Sequence, residues 1–379
     1  MLKKKDIINT FKELVSLDTK PRQEGQIADL LKKKLARLGF TVREDQAGDL
    51  IGGETGNLLA ELAPTPGKED LPPLLFSAHM DKVQPGLGCN PRVGSRYITS
   101  AGDNNLGADD LAGVTGIIES LKFIKKHKIE HGKIKIIFTV AEEEGLLGAK
   151  KLDPLEVKDC AYGFVLDAEG DVGTIIYRAP FKMKFNARIK GKPAHAGIAP
   201  GRGVNAIKIA SHAISAMNLG QIDEETTANI GVIKGGVARN VVPDLIELEG
   251  EVRSHDQQKL NNQVEEMKGL INKYVKSYQG EVEFDISLLY QGYCLEKDSP
   301  LLDYLSWRAR ELDIPINYKA GGGGSDACVF NGWGLTTINL GIGIENAHSP
   351  REKIKKKNLF NLVRYLVAII KKSSKISDV

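Results

Sequence analysis

Two runs in this chain, Leu74-Leu-Phe-Ser77 and Ile134-Lys-Ile-Ile-Phe-Thr-Val140, are apolar at almost every position. A strand with apolar side chains on both faces must be covered on both faces, which is the situation of a parallel sheet between helices. Leu58–Leu62 and Phe164–Leu166 are shorter runs of the same kind. Around them apolar residues return at helical spacing (Ile8, Phe11, Leu14, then Ile27, Leu30, Leu31, Leu35), with Gly39 as a stop signal. One long helix is expected over about 108–127. Strands alternating with helices predict an α/β fold with a mostly parallel sheet flanked by helices.

The pattern changes near residue 180. Phe181, Met183, Phe185, Ala187 and Ile189 alternate with polar residues, the mark of a half-buried strand. A helix at 204–218, strands near 227–234 and 245–253, a helix at 256–277 and a strand at 281–289 complete a strand-helix-strand-strand-helix-strand order. That order is the ferredoxin-like α+β pattern, with its helices on one face of an antiparallel sheet. After 293 the first style returns: a helix at 299–312, a glycine-rich turn at 320–327, the strand Thr336–Leu340 and a closing helix at 355–372. Residues 1–179 and 293–379 are therefore read as one domain into which 180–292 is inserted. Pro64, Pro66, Gly67, Pro72 and Pro73 mark a surface loop, and no internal repeat is apparent.

A length of 379 residues suggests two domains, and a formal net charge of +3 gives no general attraction to nucleic acid or membrane. The basic cluster Lys353, Lys355, Lys356, Lys357 reads as the solvated start of the last helix. No apolar run approaches the roughly 20 residues of a membrane span, and no signal-peptide core follows the basic N-terminus. The expected location is the cytoplasm. Cys89, Cys160, Cys294 and Cys328 are scattered, which speaks against a disulfide framework or a cysteine metal site. Cys328 reads as a small buried residue.

The polar residues of interest stand where α/β folds place their sites, at strand ends. Leu74–Ser77 runs on into His79-Met-Asp81, an imidazole with a carboxylate near enough to hold its second nitrogen. Gly107-Ala-Asp109-Asp110 opens the long helix; one acid there suits an N-terminus, while the second acid and the small residues Gly107, Ala108, Ala112 and Gly113 suggest a helix packed close to the sheet. The strand 134–140 ends in Glu142-Glu143-Glu144, whose mutual repulsion a cation would relieve. Asp167 and His348 follow two further strands. Two histidines and three carboxylates suit zinc, manganese or cobalt. Two such ions about 4 Å apart sharing a carboxylate form a known hydrolytic arrangement. One acid of the Glu142–Glu144 cluster would remain to take a proton.

In their order and spacing, His79-x-Asp81, Gly-Ala-Asp109-Asp110, Glu142-Glu143-x-Gly145, Asp167 and Ala347-His348 resemble the M20 family of metallopeptidases, in particular its peptidase T-like, tripeptidase branch. The resemblance spans nearly the whole chain. It implies a zinc-peptidase-like catalytic domain holding two divalent ions, with zinc expected and manganese or cobalt as alternatives. Asp109 would bridge both ions, His79 and Asp167 would complete one shell, and Glu143 and His348 the other. Glu142 would be the general base and Asp81 would orient His79. In the inserted domain, Gly191-Lys-Pro-Ala-His195-Ala-Gly197 resembles a loop whose histidine stabilises an oxyanion, commonly in the partner subunit. The segments around Asn240 and Arg253 resemble those holding a substrate carboxylate, and an arginine fork suits that task.

The resemblance implies a di-metal exopeptidase acting on short peptides, in the first place an aminopeptidase for tripeptides. A carboxypeptidase or an N-acyl-amino-acid amidohydrolase is the alternative, and a non-catalytic metal- or peptide-binding protein comes last. A homodimer through 180–292 is the expected assembly. Two registers stay open: Glu142 or Glu143 as base, and Asp109 or Asp110 as bridge. Lys82, where the family often has threonine, suggests an altered substrate edge, and Leu111 stands where many members have lysine. Gly321–Asp326 reads either as a substrate loop or as a flexible turn. His127, His131, His212 and His255 match no motif and are left structural.

Overall fold

The structure is a computed structural model that describes residues 2–376. The chain divides into two compact units: one holds the residues up to Tyr177, Cys294–Gly321 and Ser325 onward, the other Arg178–Tyr293 with Gly322–Gly324.

In the first unit four parallel strands form the middle of a mixed sheet, in the order Ile134–Thr139, Leu74–His79, Tyr162–Ala168, Thr337–Gly341. Every residue of Leu74–His79 and of Ile134–Thr139 is buried, as their two-sided apolar character requires. Antiparallel strands flank this core: Leu58–Leu62 beside Ile134–Thr139, and Thr174–Ala179 beside Thr337–Gly341. The parallel register pairs His79 with Thr139, so the carboxyl ends of neighbouring strands lie level.

The helix Ala108–His127 lies against this sheet. Its small residues permit a close approach: a Cβ on Gly113 would stand 2.3 Å from the Leu166 carbonyl oxygen. The closing helix Lys356–Lys371 covers it in turn, burying Leu359, Leu362, Val363, Leu366, Ile369 and Ile370, the apolar stripe of its sequence.

A small antiparallel sheet of Ile344–Glu345, Lys353–Lys355, Tyr97–Ser100 and Pro91–Val93 was not legible in the sequence. It corrects the reading of the basic cluster. Lys353 and Lys355 belong to a strand, where they pair with Glu345 and, for Lys355, also Asp171; the helix begins only at Lys356.

The second unit is an antiparallel sheet in the order Gly220–Gln221, Thr226–Gly235, Leu245–Ser254, Phe181–Lys190, Glu281–Tyr290. Helices Ala206–Ala216 and Gln257–Ser277 pack on it around Phe185, Ile189, Ile209, Leu248, Met267 and Ile271. Asn205 and Asp256 cap these helices by accepting the Lys208 and Lys259 N–H groups. Apart from the two-residue strand at its edge, this is the ferredoxin-like order expected. Among the described residues no helix is long and apolar enough to cross a membrane.

Candidate metal centre

His79 ends a fully buried strand and is 1% exposed. Its Nδ1 lies 3.0 Å from the main-chain oxygen of Asp81 and 3.4 Å from Asp81 Oδ1. A carbonyl only accepts, so Nδ1 carries a proton, which leaves Nε2 as the nitrogen a cation would take. That Nε2 faces Asp109 Oδ1 at 3.5 Å and Asp167 Oδ1 at 3.7 Å. The contact between His79 and Asp81 is thus made mainly by the aspartate's main chain. The Asp81 carboxylate, beside the same Nδ1, also accepts the N–H groups of Glu142 at 3.0 Å and Glu143 at 3.2 Å.

The two aspartates at the head of the long helix face opposite ways. Asp110 is fully buried and accepts the His79 N–H and the Gly113 N–H, each at 3.2 Å. Asp109 points its carboxylate between the two histidines, with Oδ2 at 3.1 Å from His348 Nε2. Both have non-helical backbone angles, and the peptide joining them is cis. Glu352 receives the Gly107 and Asp109 N–H groups on its two oxygens, at 2.7 and 2.9 Å.

The glutamate run divides three ways. Glu142 is buried, Glu143 lies with Oε1 at 3.0 Å from His348 Nε2, and Glu144 is exposed and pairs with Arg22 at 2.6 Å. The turn into this run needs Ala141 at φ +47°, a left-handed conformation unfavourable for alanine. Glu24 holds it by accepting the Ala141 N–H at 2.9 Å. His348, also at positive φ, sits in the loop between the strands Ile344–Glu345 and Lys353–Lys355.

Among the described residues the groups whose ligand atoms converge include His79–Asp109–Asp167 and Asp109–Glu143–His348, which share Asp109. A third joins His79, Glu142 and Glu143. Asp109 Oδ1 is buried without a hydrogen-bond partner. A buried, unpartnered carboxylate oxygen among imidazole nitrogens and further carboxylates is what a divalent cation would satisfy, so the residues present fit one.

The electrostatics agree. Burial, then the charge of Asp167, pushes Glu142 and Asp110 well above the carboxylate range. Burial raises Asp167 to about 8. Hydrogen bonds to Asp109 and Glu143 raise His348 to about 10. Burial opposes a charge on His79, yet the carboxylates of Asp109, Asp167 and Asp81 outweigh it and hold the imidazole well above its usual range. Burial also opposes a charge on Asp109, but both histidines hold it low. Without a cation the site stores protons on acids and histidines alike.

In the second unit His195 Nδ1 accepts the N–H groups of Gly197 and Ile198, each at 3.2 Å, which puts its proton on Nε2. The Ala196 N–H donates to the Asn240 carbonyl, so the His195 and Asn240 segments are tied side by side. Arg253 donates from Nε to Glu251 and from Nη1 to the Gly322 carbonyl.

One expectation needs correction. Lys82 does not form a substrate edge: it is 1% exposed, and its Nζ donates to the Val15 and Leu17 carbonyls at 3.1 and 2.5 Å. At the end of Gly321–Asp326, Asp326 opens the helix Asp326–Gly332 and accepts the Thr139 hydroxyl at 2.6 Å. Cys328 on that helix is buried, as expected, and burial pushes its thiol up to about 12. Sequence reasoning missed Glu24 and Glu352, buried acids that hold the main chain of the ligand loops. Burial raises each to about 7. For Glu352 a signal existed in its place four residues after His348; for Glu24 none did.

A cavity of about 620 Å³ opens beside Glu143 and Glu144, lined also by Lys20, Arg22, Glu54 and Gln84. That size accommodates a small-molecule ligand.

Comparison with known proteins bears on this geometry. The profile of the peptidase dimerisation domain of M20 enzymes matches residues 182–279, and that of peptidase family M28 matches 57–193, the stretch from before His79 to beyond Asp167. The chain is similar to a tripeptidase from Staphylococcus aureus subsp. aureus Mu50, with a TM-score of 0.93 and 38% identity over 99% of both chains. It is similar to the aminopeptidase PepT of Bacillus cereus ATCC 10987, with a TM-score of 0.91 and 39% identity over 98% of this chain and 99% of that one. It is 40% identical to the uncharacterized protein YqjE of Bacillus subtilis (strain 168), over 99% of this chain and 100% of the relative.

Proposed function

This chain belongs to the M20 family of metallopeptidases, in its peptidase T-like branch, and from that premise we propose that it is a di-metal aminopeptidase releasing the N-terminal residue of tripeptides. The observation that carries the reading is the pair of ligand triads sharing Asp109, with Glu142 beside them. The groups that would hold the ions are Asp109, shared between them, with His79 and Asp167 for one and Glu143 and His348 for the other. Zinc is the proposed ion, with manganese and cobalt as alternatives. When bound, such ions would supply Lewis-acid chemistry, polarising a carbonyl and lowering the pKa of a water.

The protein's own groups do the rest. Glu142 takes a proton from the attacking water and returns it to the leaving amine. Asp81 holds the main chain of Glu142 and Glu143 so that base and ligand keep their spacing. His195, with its proton on Nε2, donates to the oxyanion. Asn240 and Arg253 hold the free carboxylate of a short peptide.

The proposed assembly is a homodimer through residues 180–292, supported by the dimerisation-domain match and by exposed Ile233 and Val237. The proposed location is the cytoplasm, in keeping with four free cysteines.

The test is a panel of tripeptides, N-acetylated and C-amidated peptides and N-acyl amino acids, with metal-stripped protein given zinc, manganese or cobalt in turn. Release of the first residue from free tripeptides, and none from N-acetylated ones, is expected. Preference for N-acyl amino acids makes it an amidohydrolase, and cleavage from the carboxyl end a carboxypeptidase. Peptide binding without amine release would remove catalysis altogether.

A further inference from the structure

Glu352 belongs to neither ligand triad, yet it is 2% exposed and spends both carboxylate oxygens on one loop. Oε2 accepts the Gly107 N–H at 2.7 Å and Oε1 the Asp109 N–H at 2.9 Å. These N–H groups stand at the head of a helix, where the main chain has no helical acceptor to offer them. Asp109 is also non-helical in its own angles, so the regular helix does not set its direction. Glu352 itself closes the loop that carries His348, and the strand Lys353–Lys355 begins at the next residue. One side chain therefore fastens the loop of one histidine to the main chain of the aspartate facing it, across which His348 Nε2 and Asp109 Oδ2 stand 3.1 Å apart.

On the opposite side of Asp109 the chain is pinned by Asp110, through the His79 and Gly113 N–H groups. The two clamps leave the Asp109 carboxylate little freedom of its own. From this geometry we propose that Glu352 is a positioning residue, which fixes the Asp109 main chain and the His348 loop in a common register and so sets how tightly the two-ion site closes. It acts through Asp109 and touches neither substrate nor ion. The proposal rests on Asp109 being the shared ligand.

Its chemistry is specific. A carboxylate offers acceptors on both oxygens; a carboxamide offers one, and turns an NH₂ toward the other N–H. Glu352→Gln must therefore break one of the two bonds while keeping volume and shape. Removing a partner that orients a ligand typically weakens metal affinity by about 10–100-fold.

The experiment compares full-length wild type, Glu352→Gln and Asp109→Asn by competition for Zn²⁺ against a chromophoric chelator, and by thermal unfolding in excess EDTA. The expected result for Glu352→Gln is a loss of about 10–100-fold in Zn²⁺ affinity, with metal-free melting close to wild type. At saturating Zn²⁺ its kcat on a tripeptide falls more than its KM shifts. Wild-type affinity and kcat in Glu352→Gln, with affinity lost in Asp109→Asn, overturns the proposal. Unchanged affinity in Asp109→Asn instead sinks the reading of the site on which it stands. Should Glu352→Gln fail to fold without metal, Glu352→Asp keeps both acceptors on a shorter arm: weaker Zn²⁺ binding supports the proposal and wild-type binding overturns it.

Discussion

The Asp81 carboxylate accepts the backbone N–H of Glu142 at 3.0 Å, and its other oxygen takes that of Glu143 at 3.2 Å. A residue two positions past the end of one strand thereby fixes the turn that follows its neighbour. Asp81→Asn keeps one acceptor and turns an amide toward the second N–H. The expected outcome is a fall in metal affinity or kcat/KM of about 10–100-fold, read from zinc content and tripeptide kinetics on the same preparation.

Glu142 stands outside both triads that share Asp109. Glu142→Ala is expected to retain both ions by elemental analysis while kcat drops by about 10²–10⁴-fold, the usual worth of a general base. If Glu143→Ala shows that pattern and Glu142→Ala loses an ion, the two roles are reversed.

Removing the ions should make stability depend on pH in a definite direction. Asp167, Glu142, Asp110, His79 and His348 all have folded-state pKa values above their ordinary ones. Each contributes stability that is fully present below its unfolded pKa and is lost as pH rises through its folded value. Asp109 has the opposite sign, but its loss falls at strongly acid pH. EDTA-treated protein should therefore melt at progressively lower temperature between pH 5.5 and pH 8.5, a range inside the roughly 4–10 window of these groups. Zinc-loaded protein should not follow, because the ions replace the protons. Parallel scanning calorimetry of the two forms checks this.

Gly113 faces the Leu166 carbonyl oxygen, which a Cβ would approach to 2.3 Å. Gly113→Ala has to push a backbone, and the expected loss is about 1–3 kcal/mol. Gly116→Ala meets side chains and no backbone, Leu362 Cδ2 at 2.6 Å and Cγ at 2.8 Å and Leu366 Cδ1 at 3.4 Å, so it should cost less. Urea unfolding of both variants ranks them.

Lys82→Met removes the ammonium held by the Val15 and Leu17 carbonyls. Leaving buried acceptors unpaired costs about 1–3 kcal/mol. Stability should fall while KM across a tripeptide panel stays within about twofold, below the 1.4 kcal/mol that a tenfold change would represent. A shifted substrate preference at unchanged stability would return Lys82 to the substrate edge.

Much of this architecture was legible because it depends on periodicity. The alternation of Phe181–Ile189 and the stripe from Leu359 to Ile370 each select one element, and the order of elements then leaves few ways to arrange them. The strands Tyr97–Ser100 and Lys353–Lys355 escaped notice because runs of four and three residues carry no period to measure. Lys82 misled for a different reason. A long charged side chain reads as surface, and only the nearness of two main-chain carbonyls explains its burial.

The same division runs through the metal centre. The sequence alone determined that His79, Asp109, Glu142, Glu143, Asp167 and His348 lie at or just beyond strand ends or at the head of a helix, because hydrophobic runs place those ends. Only the family spacing favoured Asp109 over Asp110 and Glu142 over Glu143 as base, and both registers stayed open, since adjacent residues share their local patterns. Tertiary structure separated them by direction. Asp110 turns back to the His79 and Gly113 N–H groups while Asp109 turns to the histidines, and Glu143 reaches His348 while Glu142 does not join that triad. Which way a carboxylate points is decided by the N–H groups and imidazoles that distant segments bring to it, and those become neighbours only once the sheet has formed.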